Sequence, residues 1–217
     1  MRPKLVIFDC DGVLIDSEVI ACRMMAEALT QEGYPITFAE MANRFVGLSA
    51  KTRQAHIEQE LGRSLPADFE ANAQRSLQAA FAGELLAIAG IEDALNALKM
   101  PVCVASSSSS ARLDYALGLV GLRDRFAPWI FSAELVTNGK PAPDLFLFAA
   151  QQMQAEPGDC LVVEDSLAGV QAGAAAGMPV LGFCGGGHCT PTHATRLLNA
   201  GATAVFSDMA SLPRLVA

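Results

Sequence analysis

Leu5-Val6-Ile7-Phe8-Asp9-Cys10-Asp11-Gly12 is the stretch on which the reading of this 217-residue chain turns. The unbroken apolar run, β-branched in its middle, has the composition of a strand buried on both faces, as in a parallel sheet. It ends in two carboxylates. A carboxylate is costly to bury unless a cation or several donors meet it. The carboxyl ends of strands are where ligands bind in open α/β sheets. Asp9 and Asp11 are therefore candidate functional residues, and Gly12 permits the tight turn behind them.

Downstream of this stretch the pattern changes twice. Asp16-Ser17 is a plausible N-cap for a helix with Ile20, Met24, Met25, Ala28 and Leu29 on one face, stopped by Gly33. Thr37-Phe38-Ala39-Glu40 has the form of a capping box, followed by Met41 and Phe45. Ser49 is the candidate cap of a third helix bearing Ile57 and Leu61, ending at Gly62. Asp68 is the candidate cap of a fourth, with Phe69, Ala73, Leu77, Ala80 and Phe81 on its apolar face. These segments form an all-helical block inserted after the first strand.

From about residue 86 strands alternate with helices. Apolar runs at 101–105, 129–131, 160–163, 179–183 and 204–206 read as strands. A helix over 91–99, another with Leu113, Leu117 and Val120, one from about 144 and one with Ala168, Ala172 and Ala175 separate them. The expected fold is α/β: a Rossmann-like three-layer core with a mostly parallel sheet, residues 1–15 and 86–217, and an inserted helical cap domain, residues 16–85.

The polar residues fall at corresponding places in these units. The second strand runs into Ser106, the loop after the third holds Lys140, and the fourth ends in Glu164-Asp165. In a parallel sheet all of these lie on one edge with Asp9 and Asp11. Converging hard oxygen donors suit Mg²⁺. A hydroxyl, a lysine and the N–H groups of tight turns suit a phosphate. One carboxylate facing that phosphate can attack phosphorus, and a second can move the protons.

Composition narrows the partners. The formal charge of −8 and the scattered Lys and Arg residues argue against nucleic acid or a membrane surface. Six cysteines without a small-scaffold pattern fit a reducing cytoplasm. Met1-Arg2-Pro3 leads straight into a strand, which gives no sign of a signal peptide, and no apolar stretch has the length of a membrane span. A small phosphorylated metabolite is the expected partner, and a monomer the default state. Single residues also carry plainer readings. Ser106 can cap the helix after it, in competition with Ser107–Ser109. His56 reads as a surface residue. His188, in Cys184-Gly185-Gly186-Gly187-His188-Cys189, lies outside any standard zinc spacing and reads as part of a flexible loop that borders the site.

Four motifs together resemble the haloacid dehalogenase-like phosphotransferase superfamily: Asp9-Cys10-Asp11-Gly12-Val13-Leu14-Ile15-Asp16-Ser17, Ser106, Gly139-Lys140-Pro141-Ala142-Pro143-Asp144, and Glu164-Asp165-Ser166 with Ala168-Gly169. They stand in the family's order and span nearly the whole chain. The chain looks closest to the sugar-phosphate phosphatases and β-phosphoglucomutase, which carry a helical cap. The resemblance implies that Asp9 is a nucleophile forming an aspartyl-phosphate. It makes Asp11 the general acid/base, kept protonated by its neighbours, with its backbone carbonyl also reaching the metal. Ser106, Ser107 and Lys140 would hold the phosphoryl group, Cys10 would lend its N–H to that cradle, and Asp9, Asp11, Glu164 and Asp165 would hold Mg²⁺. Asp11 argues for phosphoryl transfer over carbon–halogen cleavage.

The alternative is a phosphosugar mutase. The mutases of this subgroup place a histidine just after the first motif, where this chain has Glu18-Val19-Ile20-Ala21-Cys22. They also place an arginine in a cap turn, which here reads Gly47-Leu48-Ser49-Ala50-Lys51. Both departures favour a phosphatase. In the cap, Glu18, Lys51, Arg53 and Arg75 are the polar candidates for substrate contact. A receiver-type signalling switch uses similar groups, but it is shorter, lacks the insert and lacks the second aspartate. A non-catalytic sugar-phosphate binder is disfavoured because no core motif residue is missing.

Overall fold

The computed structural model describes residues 2–45 and 50–217. Among the described residues six strands form one sheet: β1 (Leu5–Phe8), β2 (Val102–Ser106), β3 (Ile130–Ser132), β4 (Cys160–Glu164), β5 (Val180–Phe183) and β6 (Ala204–Phe206). Their order is β3-β2-β1-β4-β5-β6, and every neighbouring pair is parallel. β1 is central. Its neighbours β2 and β4 belong to the two halves of the sheet, so the carboxyl end of β1 lies where strand order reverses, the place an open α/β sheet offers to a ligand.

The chain divides into two compact units, residues 1–16 with 86–217, and residues 17–85. In the first, β1 and β4 are buried throughout, which explains their continuous apolar runs. One cluster joins Leu5, Ile7, Cys103, Leu145, Phe146 and Val162. The connecting helices are α5 (Ile91–Ala97), α6 (Ser110–Leu119), α7 (Arg123–Phe126), α8 (Asp144–Gln152), α9 (Leu167–Ala175), α10 (His193–Ala200) and α11 (Leu212–Leu215).

The second unit is helical: α1 (Ser17–Gln31), α2 (Phe38–Phe45), α3 (Ala50–Leu61) and α4 (Phe69–Glu84). Its core gathers Cys22, Ala26, Leu29, Met41, Phe45, Ile57 and Phe69. The face of α1 is therefore centred on Cys22, Ala26 and Leu29, with Met24, Met25 and Ala28 only half-buried. Thr37 and Glu40 do form the capping box: Thr37 N donates to Glu40 Oε2 at 2.8 Å, and Glu40 N to Thr37 Oγ1 at 3.2 Å. Asp68 does not cap α4 with its side chain, which instead accepts from Asn72 Nδ2 at 3.0 Å. The expected cap at Ser49, and the Gly47–Ser49 part of the turn that bears on the mutase question, lie outside the described residues.

Two further expectations are corrected in the first unit. The side chain that caps α6 is that of Ser109, which accepts from Arg112 N. Ser106 instead closes a local turn, its Oγ accepting from Ser108 N at 3.2 Å. In α9 the packed face is Gly169, Val170, Ala172 and Gly173, not an alanine stripe, and Ala175 is exposed. A Cβ on Gly169 would lie 1.6 Å from Glu164 Oε1, and one on Gly173 would lie 2.6 Å from Val180 Cγ2. The helix approaches the sheet closely only because both are glycine.

Candidate active site

The strand ends bring the expected residues together. Asp9 leaves β1 with its N–H on Val163 O of the neighbouring strand at 2.9 Å, which fixes its backbone. The turn behind it is tight: the N–H groups of Val13, Leu14 and Ile15 all point at Cys10 O, within 3.3 Å. Gly12 has φ of +78°, and a Cβ there would sit 1.9 Å from Asp165 Oδ2. Glycine is required both by the backbone and by the close approach of the metal-ligand candidate.

Lys140 reaches in from the loop before α8. Its Nζ donates to Asp9 Oδ1 at 2.6 Å and to Glu164 Oε1 at 2.8 Å, and it stands 4.8 Å over the Phe146 ring. The three groups are almost sealed from water, with side-chain exposures of 9% for Asp9, 3% for Lys140 and none for Glu164. Glu164 Oε2 is in turn bonded by Ser166 N at 2.6 Å. Ser166 also caps α9, its Oγ accepting from Gly169 N at 3.0 Å.

Electrostatics follow from this crowding. Burial pushes the Asp9 carboxyl well above the usual range; Lys140 pulls it down, while Glu164 and Asp165 push it up again. Burial works against the charge of Lys140, but Asp9 and Glu164 outweigh it and hold its pKa above the ordinary lysine value. Carboxylate oxygens of Asp9, Glu164 and Asp165 lie within 4.8 Å of one another. Three buried carboxylates face one ammonium, so if all three are ionised a surplus of two negative charges remains. Hard oxygen donors with that surplus fit a small divalent cation.

Asp11 is held differently. Arg112 Nη2 donates to its Oδ1 at 2.8 Å, and Ser108 Oγ to its Oδ2 at 2.6 Å. Donors on both oxygens are the surroundings of an ionised carboxylate. The sequence reading has the neighbours of Asp11 keeping it protonated, whereas these two donors favour its charged form. Sequence reading missed Arg112 altogether and had Ser108 only as one of the competing helix caps. Ser108 is itself fixed from behind, because Ser132 Oγ donates to its carbonyl at 2.7 Å.

Of the remaining expected residues, Ser106 is buried at the end of β2 and Ser107 is exposed beside it. Cys10 is fully buried, and burial pushes its thiol well up, which suits a packing role. Glu18, Lys51, Arg53 and Arg75 all lie in the helical unit. There Arg53 is committed to Glu70 at 3.1 Å, Arg75 bonds Asn72, and Lys51 is exposed. His56 is exposed as expected.

His188 is not a surface-loop residue. Its ring is buried, and Nε2 lies 3.0 Å from Asp165 Oδ2. The glycines before it suggested flexibility; in the fold they leave room for the ring. Asp16, read as a helix cap, directs its Oδ1 to Gly187 N at 3.1 Å and so ties this loop to the first motif.

Comparison with known proteins agrees with this geometry. Residues 3–177 match the family model of haloacid dehalogenase-like hydrolases. The chain is 31% identical over 215 residues to the 6-phosphogluconate phosphatase of Escherichia coli K12, covering 99% of this chain and 95% of that protein. It is 32% identical over 176 residues to the fructose-1-phosphate phosphatase of the same strain, covering 80% and 92%. The crystal structure of a conserved haloacid dehalogenase-like protein from Agrobacterium tumefaciens superposes with a TM-score of 0.93 at 43% identity, covering 98% of this chain and 97% of that one. Among the described residues, no helix is long and apolar enough to cross a membrane.

Proposed function

This chain belongs to the haloacid dehalogenase-like hydrolases and is a phosphoric monoester hydrolase, and on that premise we propose that it hydrolyses a small sugar phosphate or related monoester through a phosphorylated Asp9. The relatives that act on 6-phosphogluconate and fructose 1-phosphate support the substrate class. The observation that carries the mechanism is the contrast between two aspartates two residues apart. Asp9 is buried on Lys140, and Asp11 is held on Arg112 and Ser108.

Asp9, fixed by Lys140, attacks phosphorus in line with the leaving oxygen. Lys140 neutralises charge on the phosphoryl oxygens, and Ser106 with Ser107 completes the cradle at the end of β2. Asp11 takes up a proton as it turns from Arg112 and Ser108 and gives it to the leaving alcohol, which departs as phosphorus bonds to Asp9. The carboxylate so formed then takes a proton from the water that attacks phosphorus, breaking the bond to Asp9 and releasing phosphate. Asp9, Glu164 and Asp165, with the backbone carbonyl of Asp11, would hold Mg²⁺. When bound, the ion neutralises phosphoryl oxygens as charge develops. The helical unit, residues 17–85, is assigned the selection of the leaving group.

Turnover of an aryl phosphate in Mg²⁺ tests the proposal. Asp9→Asn should abolish it, and substantial residual activity would sink the nucleophile assignment. Asp11→Asn should slow poor leaving groups most, and equal slowing of good and poor ones would remove its acid role. A sugar-phosphate panel including 6-phosphogluconate and fructose 1-phosphate then identifies the substrate.

A further inference from the structure

We propose that His188 and His193 clamp Asp165 and act as positioning residues for the metal site. The inference rests on the reading of Asp165 as a metal ligand. His188 lies in the loop after β5, and His193 is the first residue of α10. Both rings are buried. His188 Nε2 is 3.0 Å from Asp165 Oδ2, and His193 Nε2 is 2.7 Å from the Asp165 backbone oxygen. One short segment therefore grips both the side chain and the main chain of the same aspartate. The two rings meet edge to face, with centroids 5.6 Å apart and planes at 85°.

The space for the His188 ring is shaped by two glycines. A Cβ on Gly12 would come within 3.0 Å of His188 Cε1, and a Cβ on Gly186 within 2.8 Å. Gly12 belongs to the stretch that ends β1, and Gly186 to the loop itself, so the first motif and the loop enclose the ring between them. With the proton on Nε2, His188 donates to Asp165 Oδ2. That donation fixes the orientation of the carboxylate, which stands beside those of Asp9 and Glu164. Partners behind a metal ligand act in this way, and their loss typically weakens metal affinity about 10- to 100-fold.

A second reading of the same residues is a soft-metal site, since His188, Cys189 and His193 lie close enough to share an ion. Cys189 Sγ is 3.6 Å from His188 Nε2. However, the Nε2 atoms of both histidines already face Asp165 oxygens, so the geometry favours the clamp.

Calorimetric titration with Mg²⁺ separates the cases. Wild type should bind one ion, and Asp165→Asn should lose it. His188→Ala should bind about 10-fold more weakly or worse. His188→Gln, which restores an N–H donor, should recover most of the affinity, and Cys189→Ser should match wild type. In aryl-phosphate turnover, His188→Ala should need about 10-fold more Mg²⁺ for half-maximal rate, and its rate should still rise with Mg²⁺ where wild type is saturated. If His188→Ala does not fold, His193→Phe keeps the ring contact, drops the donor, and is read in the same way. Absence of saturable Mg²⁺ binding by wild type would overturn the metal-site reading and the clamp with it. Binding by the histidine variant within twofold of a wild type that does bind would overturn the clamp alone. Stoichiometric Zn²⁺ uptake that disappears in Cys189→Ser, with Mg²⁺ affinity unchanged in His188→Ala, would replace it with the soft-metal site.

Discussion

The strand-end site of the α/β unit and the surface of the helical unit use charge in opposite ways. In the α/β unit Asp9, Lys140 and Glu164 are shut away from water and joined at 2.6 and 2.8 Å. In the helical unit Arg23 meets Glu84 and Arg44 meets Glu60, both at 2.5 Å, but all four side chains are at least 40% exposed. Distances alone make the two sets look alike, and burial separates them. Desolvating an ion costs several kcal/mol, and a well-packed apolar group often stabilises the fold as well or better. An exposed pair costs little and contributes little. A sealed ionic network at a strand end is thus a poor device for folding, and its presence points to chemistry. The exposed pairs carry no such message, so the helical unit's polar residues do not reveal which of them meets a substrate.

Breaking the buried network should have the largest effect. Lys140→Met leaves Asp9 and Glu164 facing each other without a cation. In EDTA it should cost about 3–5 kcal/mol of stability by urea unfolding. Mg²⁺ should return part of that loss if the ion balances the same carboxylates. An unchanged midpoint in EDTA would place this network with the surface pairs and remove the contrast. Gly169→Ala comes next. Its Cβ would collide with Glu164 Oε1, so about 1–3 kcal/mol of overpacking should appear together with reduced turnover. A stability loss without any change in kcat would show that Glu164 can shift without consequence. Arg112→Leu tests the half-buried pair on Asp11, between the two extremes. Folding should change little, while kcat for an alkyl phosphate should fall by about 10-fold, near 1.4 kcal/mol in the barrier.

Most of the α/β unit could be read from the sequence for one physical reason. A central parallel strand is apolar on both faces, so β1 and β4 appear as unbroken runs, and a charge at the end of such a run stands out at once. Arg112 could not be found that way, because one arginine in a helix looks like solvated surface. A weaker signal was present: it sits in the first turn of α6, three residues after the Ser109 cap, where the helix dipole disfavours a cation. An arginine there needs a carboxylate in front of it, and Asp11 is that carboxylate. His188 was hidden by its own glycines, since composition cannot distinguish a glycine that gives freedom from one that makes room. The same ambiguity covered α9, where alanines suggested the packing face and Gly169 and Gly173 form it. In the helical unit, Thr37-Glu40 was legible because a capping box is local, whereas Asp68 had a competing partner one turn away in Asn72.

The smallest effect should come from that capping box, and it supplies the other end of the contrast. The Thr37 hydroxyl, then its backbone N–H, hold the Glu40 carboxyl below its ordinary value. A folded-state pKa lower than the unfolded one makes the ionised form stabilising. Its contribution is therefore present above about pH 4.5 and is lost as pH falls through the lower folded value. Glu40→Gln should lower Tm slightly at pH 7, and the gap from wild type should close as the pH is taken toward 3. Because the group is exposed, added salt should also narrow the gap. The Lys140→Met deficit in EDTA should resist salt, since its charges are sealed from solvent. If both deficits respond to salt alike, burial does not separate the two units' charges. If only the Glu40 deficit does, the sealed set is confirmed as the one whose cost folding alone does not explain.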